Sequence, residues 1–332
     1  MTPTQIRMSD YPGTRPPREV WKTTHDPLRG LEDGDIAVRL EWISVDPGMR
    51  GWITNKRSYM PPVKPGGVMR AFGVGEVIET CSERFSVGDY ITGFTGVRTH
   101  GVFRGRDVRK IDTSIAPAHS YLSGLGMTGY TAHFGMTDIG KPREGETVVV
   151  SAASGAVGSV AAQIAKSKGA RVIGIAGGPE KCRYLTEGLG LDIAIDYKQG
   201  DIASALKDAA PNGVDLYFDN VGGPVLETVL GQMNYQGRIV ICGGISQYGD
   251  FGNAPGPANY MTIVTHSLTV QGFTMRDYMD RIPEAFMYLL QGHSDGSLKF
   301  REHIVEGIEN FPDAFDMIFE GRNNGKLLLK VH

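Results

Sequence analysis

From Ala153 to Gly158 the chain reads Ala-Ser-Gly-Ala-Val-Gly, a GxGxxG spacing with alanine in the first glycine slot. Residues this small at this spacing suit one task, bringing backbone close to a pyrophosphate. The first small residue permits a tight turn from strand to helix. Gly155 lets the backbone approach the phosphates, and Gly158 lets the helix pack on the strand. The N–H groups that open the helix, here at Ala156 and Val157, face an anion with the positive end of the helix dipole. A bare glycine pattern often serves packing alone, so the surroundings decide. The strand "TVVVSA" precedes it, and Val157, Val160, Ala161, Ile164 and Ala165 form one apolar helical stripe after it. Lys166 and Lys168 fall in the last turn, Gly169 caps it, and a second strand follows at residues 171–176. The turn is read as a dinucleotide cradle.

The end of the second strand selects the dinucleotide. Binders of NAD place an acidic residue about 20 residues after the first slot, where it accepts from the ribose 2′-OH. This chain has Gly177-Gly178-Pro179-Glu180-Lys181. The glycines leave room for a 2′-phosphate and Lys181 can neutralise it, so NADPH is the expected cofactor. Two other readings stay open: Lys181 as a solvated helix residue, and Glu180 reaching a ribose.

Elements that could hold these residues are legible along the chain. From about Asp35 to Ile111, short alternating segments ("DIAVRLEWISV", "GVGEVIET", "DYITGFTG", "GVFRGRDVRKI") are separated by Gly and Asp, the pattern of a small antiparallel β domain. After Leu122, strand-like and helix-like segments alternate: "ETVVVSA", "RVIGIAG", "AIDY", "VDLYFDN", "GRIVICG" and "SLTVQGF" with amphipathic stretches between them. That alternation, with continuously apolar strands, predicts a parallel doubly wound sheet. The last 25 residues or so read as helix, glycine turn and closing strand, resembling the first domain more than the second. The chain is therefore expected to return to its first domain and leave a cleft between the two.

Bulk properties narrow the partners. A length of 332 residues allows roughly two domains, and a net charge of −3 gives nucleic acid or an anionic membrane no purchase. Three scattered cysteines (Cys81, Cys182, Cys242) fit a reducing compartment, and no apolar run reaches about 18 residues, so a cytoplasmic protein is expected. The eight histidines are dispersed, and the cysteines form no metal-binding cluster, so no metal is expected. Without a Lewis acid, alcohol–ketone exchange loses its usual driver, whereas hydride transfer to an electron-poor carbon needs none.

The segments "SVDPGMRGWI", "SYMPPVKPGGVMRAFGVGEVI", "GMTGYTAHFG", "GETVVVSAASGAVGSVAAQIAK", "RVIGIAGGPEKCRYL", "YFDNVGG", "ICGGISQYG" and "GRNNGKLLLKV" together resemble the zinc-independent medium-chain dehydrogenase/reductases. Within them the likeness is to the leukotriene B4 12-hydroxydehydrogenase/prostaglandin reductase group, which includes alkenal double-bond reductases and curcumin reductase. The resemblance implies a GroES-like β-barrel catalytic domain (residues 1–123 and 300–332) and a Rossmann NADPH-binding domain (124–299), commonly as a homodimer. It also implies NADPH-dependent reduction of the C=C bond of small α,β-unsaturated aldehydes or ketones. Carried over by position, Gly155, Ala156, Val157 and Gly158 hold the pyrophosphate, and Lys181 and Tyr197 the 2′-phosphate. Asn220, Phe273 and the run Cys242, Gly243, Gly244, Ile245, Ser246 and Tyr248 line the nicotinamide half. Asn323 reaches the cofactor from the C-terminal segment, with Asn324 as its competitor. One departure is Gly48, where the family usually has an aromatic residue, which widens one pocket wall.

In the reaction so implied, hydride attacks the β-carbon and charge develops on the carbonyl oxygen, where a hydroxyl donor stabilises it. Tyr260, Tyr59, Tyr248 and the cofactor's ribose hydroxyl are the candidates. Arg50 is read as structural. Met49, Met69, Met127 and Met275 line the cleft or pack in the core. A quinone reductase of the same fold and a non-catalytic NADPH-binding protein stay as alternatives.

Overall fold

The computed structural model describes residues 2–13, 18–56, 60–250 and 253–332, and its strands gather mainly into two sheets. β1 (Thr4–Met8) and β2 (Trp21–His25) pair antiparallel in a segment where the sequence reading finds no strand. β3 (Asp35–Ser44), β4 (Phe72–Thr80), β5 (Tyr90–Phe94), β6 (His100–Arg104) and β7 (Val108–Ile111) form the antiparallel sheet. "GVFRGRDVRKI", expected as one strand, is two. A 3-10 turn at Gly105–Asp107 sends β6 to pair with β3 and β7 with β5.

The parallel sheet follows, with β8 (Thr147–Ser151), β9 (Arg171–Ala176), β10 (Ile193–Asp196), β11 (Val214–Asp219), β12 (Met233–Ile241) and β13 (Thr269–Gly272). Their order, β10-β9-β8-β11-β12-β13, reverses direction between β8 and β11. Such a reversal opens a crevice at the carboxyl ends of the strands, where ligands bind in open α/β sheets. β8 is buried at every position, as its unbroken apolar run requires of a central strand. Finally β14 (Glu302–Glu306) and β15 (Lys326–Lys330) return to the antiparallel sheet, β15 lying antiparallel to β3. The α/β class with two sheets, one antiparallel and one doubly wound, is as expected.

One apolar cluster joins the sheets, with Val74 and Leu328 of the antiparallel sheet in the same core as Val148 and Phe218 of the parallel one. Burying each large side chain of this kind contributes about 1.5–3 kcal/mol, so the two sheets are held as neighbours rather than hinged freely. Met49 and Met69, considered above as cleft lining, are fully buried in the core of the antiparallel unit instead. Met127 and Met275 pack partly buried against the joining cluster.

A titratable contact fastens the connection between the units. His119, on the turn Ala118–Leu122, sits 2.7 Å (Nδ1 to Oε2) from Glu302 of β14. The Glu302 carboxylate raises the His119 pKa above 6.5, against the opposing effect of burial. A raised folded-state pKa stabilises the fold fully below the unfolded value and loses that stabilisation as pH rises through the folded value. His119→Gln is therefore expected to lower the thermal midpoint at about pH 6, with the gap from wild type closing by about pH 9. Calorimetry across that range checks this, and a gap constant with pH would refute it.

Candidate active site

The glycine turn has the geometry its residue types suggest. β8 ends at Ser151, Ala152 takes a left-handed conformation (φ +47°), and the helix Ala156–Ser167 starts after Gly155. A left-handed alanine costs roughly 1–2 kcal/mol, so the turn is strained one residue ahead of the first glycine slot. A Cβ on Gly158 would lie 2.3 Å from the Ala152 carbonyl oxygen and 2.9 Å from the Ala153 Cα. Glycine there lets the helix rest on the turn. No side chain caps this helix start, so none occupies the opening N–H groups of Ala156 and Val157. The far end is closed as expected by Gly169, at φ +79°.

At the end of β9, Gly177 lies under Tyr197, where a Cβ would meet ring atoms at 2.7 and 2.8 Å and the hydroxyl at 2.9 Å. The Gly178 N–H donates to Asp196 Oδ1 at 2.7 Å and fixes the bend into helix Pro179–Arg183. Lys181 Nζ donates to the Gly321 carbonyl at 2.8 Å, leaving two N–H groups for another acceptor. Burial pulls its pKa below the usual lysine value, and Lys198 adds to the effect. Glu180 points elsewhere: it accepts from Arg301 at 2.8 Å and from Asn324 at 3.0 Å. The local field is thus positive, with the nearby carboxylate already engaged.

The opposite end of the crevice is organised by Asp219, last residue of β11 and fully buried. Its Oδ1 accepts from Ser151 Oγ (3.1 Å), the Tyr217 hydroxyl (2.7 Å) and the N–H groups of Val221 and Gly222 (both 2.9 Å). Gly222 and Gly223 follow at φ +69° and +56°, a pair of conformations that favours glycine. The Asn220 amide donates to the Ser151 carbonyl at 2.8 Å, tying the ends of β8 and β11 together. The next segment is zipped onto this one, as Cys242, Gly243, Ile245 and Ser246 donate their N–H groups to carbonyls of Asp219, Asn220 and Val221. Burial, with Asp219 adding, pushes the Cys242 thiol up to about 12, so it stays protonated.

Across the crevice stands the turn Pro47–Trp52, packed against the segment Ile245–Asp250. Ile245 itself touches the core of the antiparallel unit. Asp46, just before this turn, pairs with Lys326 Nζ at 2.8 Å. Lys326 is only 2% exposed and also donates to the carbonyls of Val45 (3.0 Å) and Leu327 (3.1 Å), so its three protons are all used. Pairing and full hydrogen bonding are what make a buried ammonium tolerable. Lys326 thereby holds the Pro47 turn beside the segment Asn323–Gly325, where Asn323 donates to the Gly325 carbonyl at 2.8 Å.

The fold gathers most of the expected residues at the carboxyl ends of the parallel strands. Gly155, Ala156, Val157 and Gly158 follow β8, Lys181 follows β9, and Tyr197 follows β10. Asn220 follows β11, the run from Cys242 to Tyr248 follows β12, and Phe273 follows β13. Phe273 turns its ring down onto Gly135 and Tyr278. The Tyr248 hydroxyl lies over Gly243, 2.9 Å from where a Cβ would sit. Tyr260 is elsewhere: it is 59% exposed, and its neighbour Asn259 donates to the Glu227 carbonyl near the far end of helix Gly223–Leu230. Tyr59 lies outside the described residues. Asp219, Asp196 and Lys326 had no role in the sequence reading. Asp219 and Asp196 each close an apolar strand, a placement that could have marked both as acceptors for turn N–H groups.

One family model, described as the N-terminal domain of oxidoreductase, matches residues 4–111, and another, described as zinc-binding dehydrogenase, matches residues 156–291. Among the described residues, no three His, Cys, Asp or Glu side chains are grouped to hold a metal ion. The NADPH-dependent curcumin reductase of Escherichia coli K12 is 38% identical, covering 98% of this chain and 95% of its own length. The NADP-dependent 2-alkenal reductase of Nicotiana tabacum is 36% identical, covering 84% and 82%. The crystal structure of CurA from Vibrio vulnificus in complex with NADPH superposes with a TM-score of 0.93 at 38% identity, covering 99% of each chain.

The close approach at Gly158 sets a test. Gly158→Ala places a carbon against rigid backbone at 2.3 Å, and overpacking of this kind costs about 1–3 kcal/mol. Thermal unfolding is expected to show a lowered midpoint, and NADPH titration an affinity at least tenfold weaker. Unchanged affinity would mean that the helix start does not carry the phosphates.

Proposed function

The chain belongs to the medium-chain dehydrogenase/reductases, with curcumin reductase and 2-alkenal reductase among its relatives, and on that premise we propose that it is an NADPH-dependent reductase of the C=C bond in α,β-unsaturated aldehydes and ketones. The observation that carries the cofactor half is the charge at the end of β9, with Glu180 held by Arg301 and Asn324 while Lys181 keeps two free donors beside Lys198. A 2′-phosphate meets the cations of Lys181 and Lys198 there, with Glu180 tied through Oε1 to Arg301 and Asn324.

In this reading Gly155, Ala156, Val157 and Gly158 hold the pyrophosphate through backbone N–H groups, and Lys181 and Tyr197 take the 2′-phosphate. Asn220, the segment Cys242–Tyr248 and Phe273 border the nicotinamide, and Asn323 closes on it from the returning C-terminal segment. NADPH supplies the hydride, delivered to the electron-poor β-carbon of the substrate. The chain's part is to orient both molecules, exclude water between the Pro47–Trp52 turn and the Ile245–Asp250 segment, and donate a hydrogen bond to the carbonyl oxygen as it gains charge. We assign that donor to the Tyr248 hydroxyl, which lies on the crevice segment, in preference to Tyr260. Gly48, lacking a side chain, leaves the facing wall open to bulky enones.

The same reading divides the chain into a GroES-like catalytic domain (1–123 and 300–332) and a Rossmann domain (124–299), supported by β14 and β15 joining the first sheet. It takes the protein as a cytoplasmic homodimer. β13 is an edge strand with Val270 exposed, and Tyr260, Met261 and Val264 are exposed just before it, an apolar strip suited to pairing with its own copy.

Three outcomes are expected. Lys181→Ala raises KM for NADPH by roughly 10- to 150-fold, matching one charge-assisted hydrogen bond, with little change for NADH. Equal effects on both cofactors would overturn the phosphate assignment. Tyr248→Phe lowers kcat by about 10²–10³, as loss of one oxyanion donor does, while Tyr260→Phe does not. The reverse ranking would move the donor to Tyr260. Steady-state kcat/KM should favour a 2-alkenal over a quinone, and a preference for the quinone would replace the proposed substrate class.

A further inference from the structure

The end of β9 is bordered by the antiparallel unit as well as by its own sheet. Lys181 Nζ donates to the Gly321 carbonyl at 2.8 Å, and a Cβ on Gly321 would lie 3.6 Å from the Tyr197 hydroxyl. Both side chains given to the 2′-phosphate thus lie against the turn that follows helix Phe311–Phe319. Glu180, one residue before Lys181, belongs to the same seam.

Two donors from the antiparallel unit decide where this carboxylate points. Arg301 precedes β14, and its carbonyl accepts the Lys326 N–H of β15 at 2.8 Å, so its main chain is fixed by the sheet. Its side chain crosses the Tyr184 ring, with the guanidinium carbon 4.8 Å from the centroid, and ends with Nη2 2.8 Å from Glu180 Oε1. Asn324 Nδ2 donates to the same oxygen at 3.0 Å, while the Asn324 N–H donates to His303 Nδ1 at 3.2 Å. Arg301 is the charged member of the pair of donors, so it alone offsets the charge of Glu180.

The Arg301 and Glu180 side chains are 31% and 64% exposed, and an ion pair so exposed adds little to stability. Its consequence lies in the field around Lys181. Burial is the main influence lowering the Lys181 pKa, Lys198 and Arg301 lower it further, and Glu180 opposes them. Both charges of the pair therefore act on the ammonium expected to grip the phosphate. Near the end of this strand, binders of NAD keep an acidic acceptor for the ribose hydroxyl. Without Arg301, Glu180 would retain only a neutral amide donor, and its full charge would stand beside an incoming phosphate.

We propose that Arg301 is a specificity-determining positioning residue, which holds and neutralises Glu180 from the antiparallel unit and so makes the end of β9 select NADPH over NADH, a conclusion that rests on the NADPH reading above. Selection is then made across the two units, by a side chain outside the parallel sheet. Lys181 grips the phosphate, and Arg301 acts through Glu180 rather than by its own contact with the cofactor. Its removal subtracts a positive charge and releases a negative one, so the effects of the two residues are coupled rather than additive.

The test is a double-mutant cycle on the full-length protein. One readout is the ratio of kcat/KM for NADPH to that for NADH with a single 2-alkenal. The other is the preference for 2′,5′-ADP over 5′-ADP in isothermal titration. Arg301→Met, whose apolar stem still covers Tyr184, is expected to lower both preferences by about tenfold or more, through weaker binding of the phosphorylated form. Glu180→Gln alone is expected to stay within about threefold of wild type, and Glu180→Gln combined with Arg301→Met to return to that range. Arg301→Lys, which keeps the charge, should retain most of the preference. The proposal is overturned if Arg301→Met keeps the wild-type preferences, or if it weakens both cofactors equally, as lost packing would. It is also overturned if adding Glu180→Gln restores nothing, which would give Arg301 its own contact with the phosphate. Should Arg301→Met fail to fold, Arg301→Gln, which removes the charge and keeps a donor, enters the same cycle and the same outcomes decide. The nucleotide fragments need no enone, so failure of the substrate assignment leaves their result standing. A wild type that binds 5′-ADP as tightly as 2′,5′-ADP overturns the NADPH reading and this proposal with it.

Discussion

Helix Ala156–Ser167 sits where it does because a hydrogen atom occupies the position that any other residue would fill with carbon. The Gly158 Cα rests so close to the Ala152 carbonyl that a Cβ would intrude to 2.3 Å. That approach fixes the angle at which the helix leaves β8, and with it the direction of the N–H groups at its start. The neighbouring strand obeys the same tolerance, since at Gly174 of β9 a Cβ would meet Ala153 Cβ at 3.0 Å and a Leu185 methyl at 2.7 Å. Small residues on both strands let the turn and the β9 exit stand side by side, so one elongated ligand can touch both.

Charge then differentiates the two ends of the crevice. At the β9 end, Arg301 and Asn324 take Glu180 away and leave Lys181 in a positive field. At the β11 end, Asp219 spends its negative charge inward on hydroxyls and turn N–H groups. Each carboxylate has one oxygen committed to protein donors. The proposed placing of a phosphate at the β9 end and a ring at the β11 end rests on this difference.

The two sheets meet through an apolar core and through one buried ammonium. The core that includes Val74, Leu328, Val148 and Phe218 keeps the sheets adjacent. Lys326 sets the finer position of the facing wall, because a buried ammonium without Asp46 and the Val45 and Leu327 carbonyls would be too costly to keep. The residues leading into the Pro47 turn and strand β15 are thus bound to one atom.

Local physics made much of this legible in the sequence. The run from β8 to β9 could be read because the strand period, the apolar helix stripe and the small residues are all contained within about 30 residues, and the same holds for Gly169 closing the helix. Glycines at 177 and 178 followed by Lys181 already spoke for a phosphate. What the sequence could not supply were relations between distant segments. Glu180 stayed open as a ribose acceptor, the lesser reading beside Lys181, until folding brought Arg301 and Asn324 to it, more than a hundred residues along the chain. Tyr260, ahead of Tyr59 and Tyr248, was the preferred hydroxyl in the sequence, whereas the tertiary structure lays Tyr248 over Gly243 and leaves Tyr260 exposed beside helix Gly223–Leu230. β1 and β2 went unseen because their pairing, not their composition, makes them strands. Lys326 had no legible role, because nothing near it in sequence reveals its burial. A pattern of neighbours determines where helices, strands and tight turns form, whereas the partner of a charge is chosen by the fold, since only packing decides which groups lose their water together.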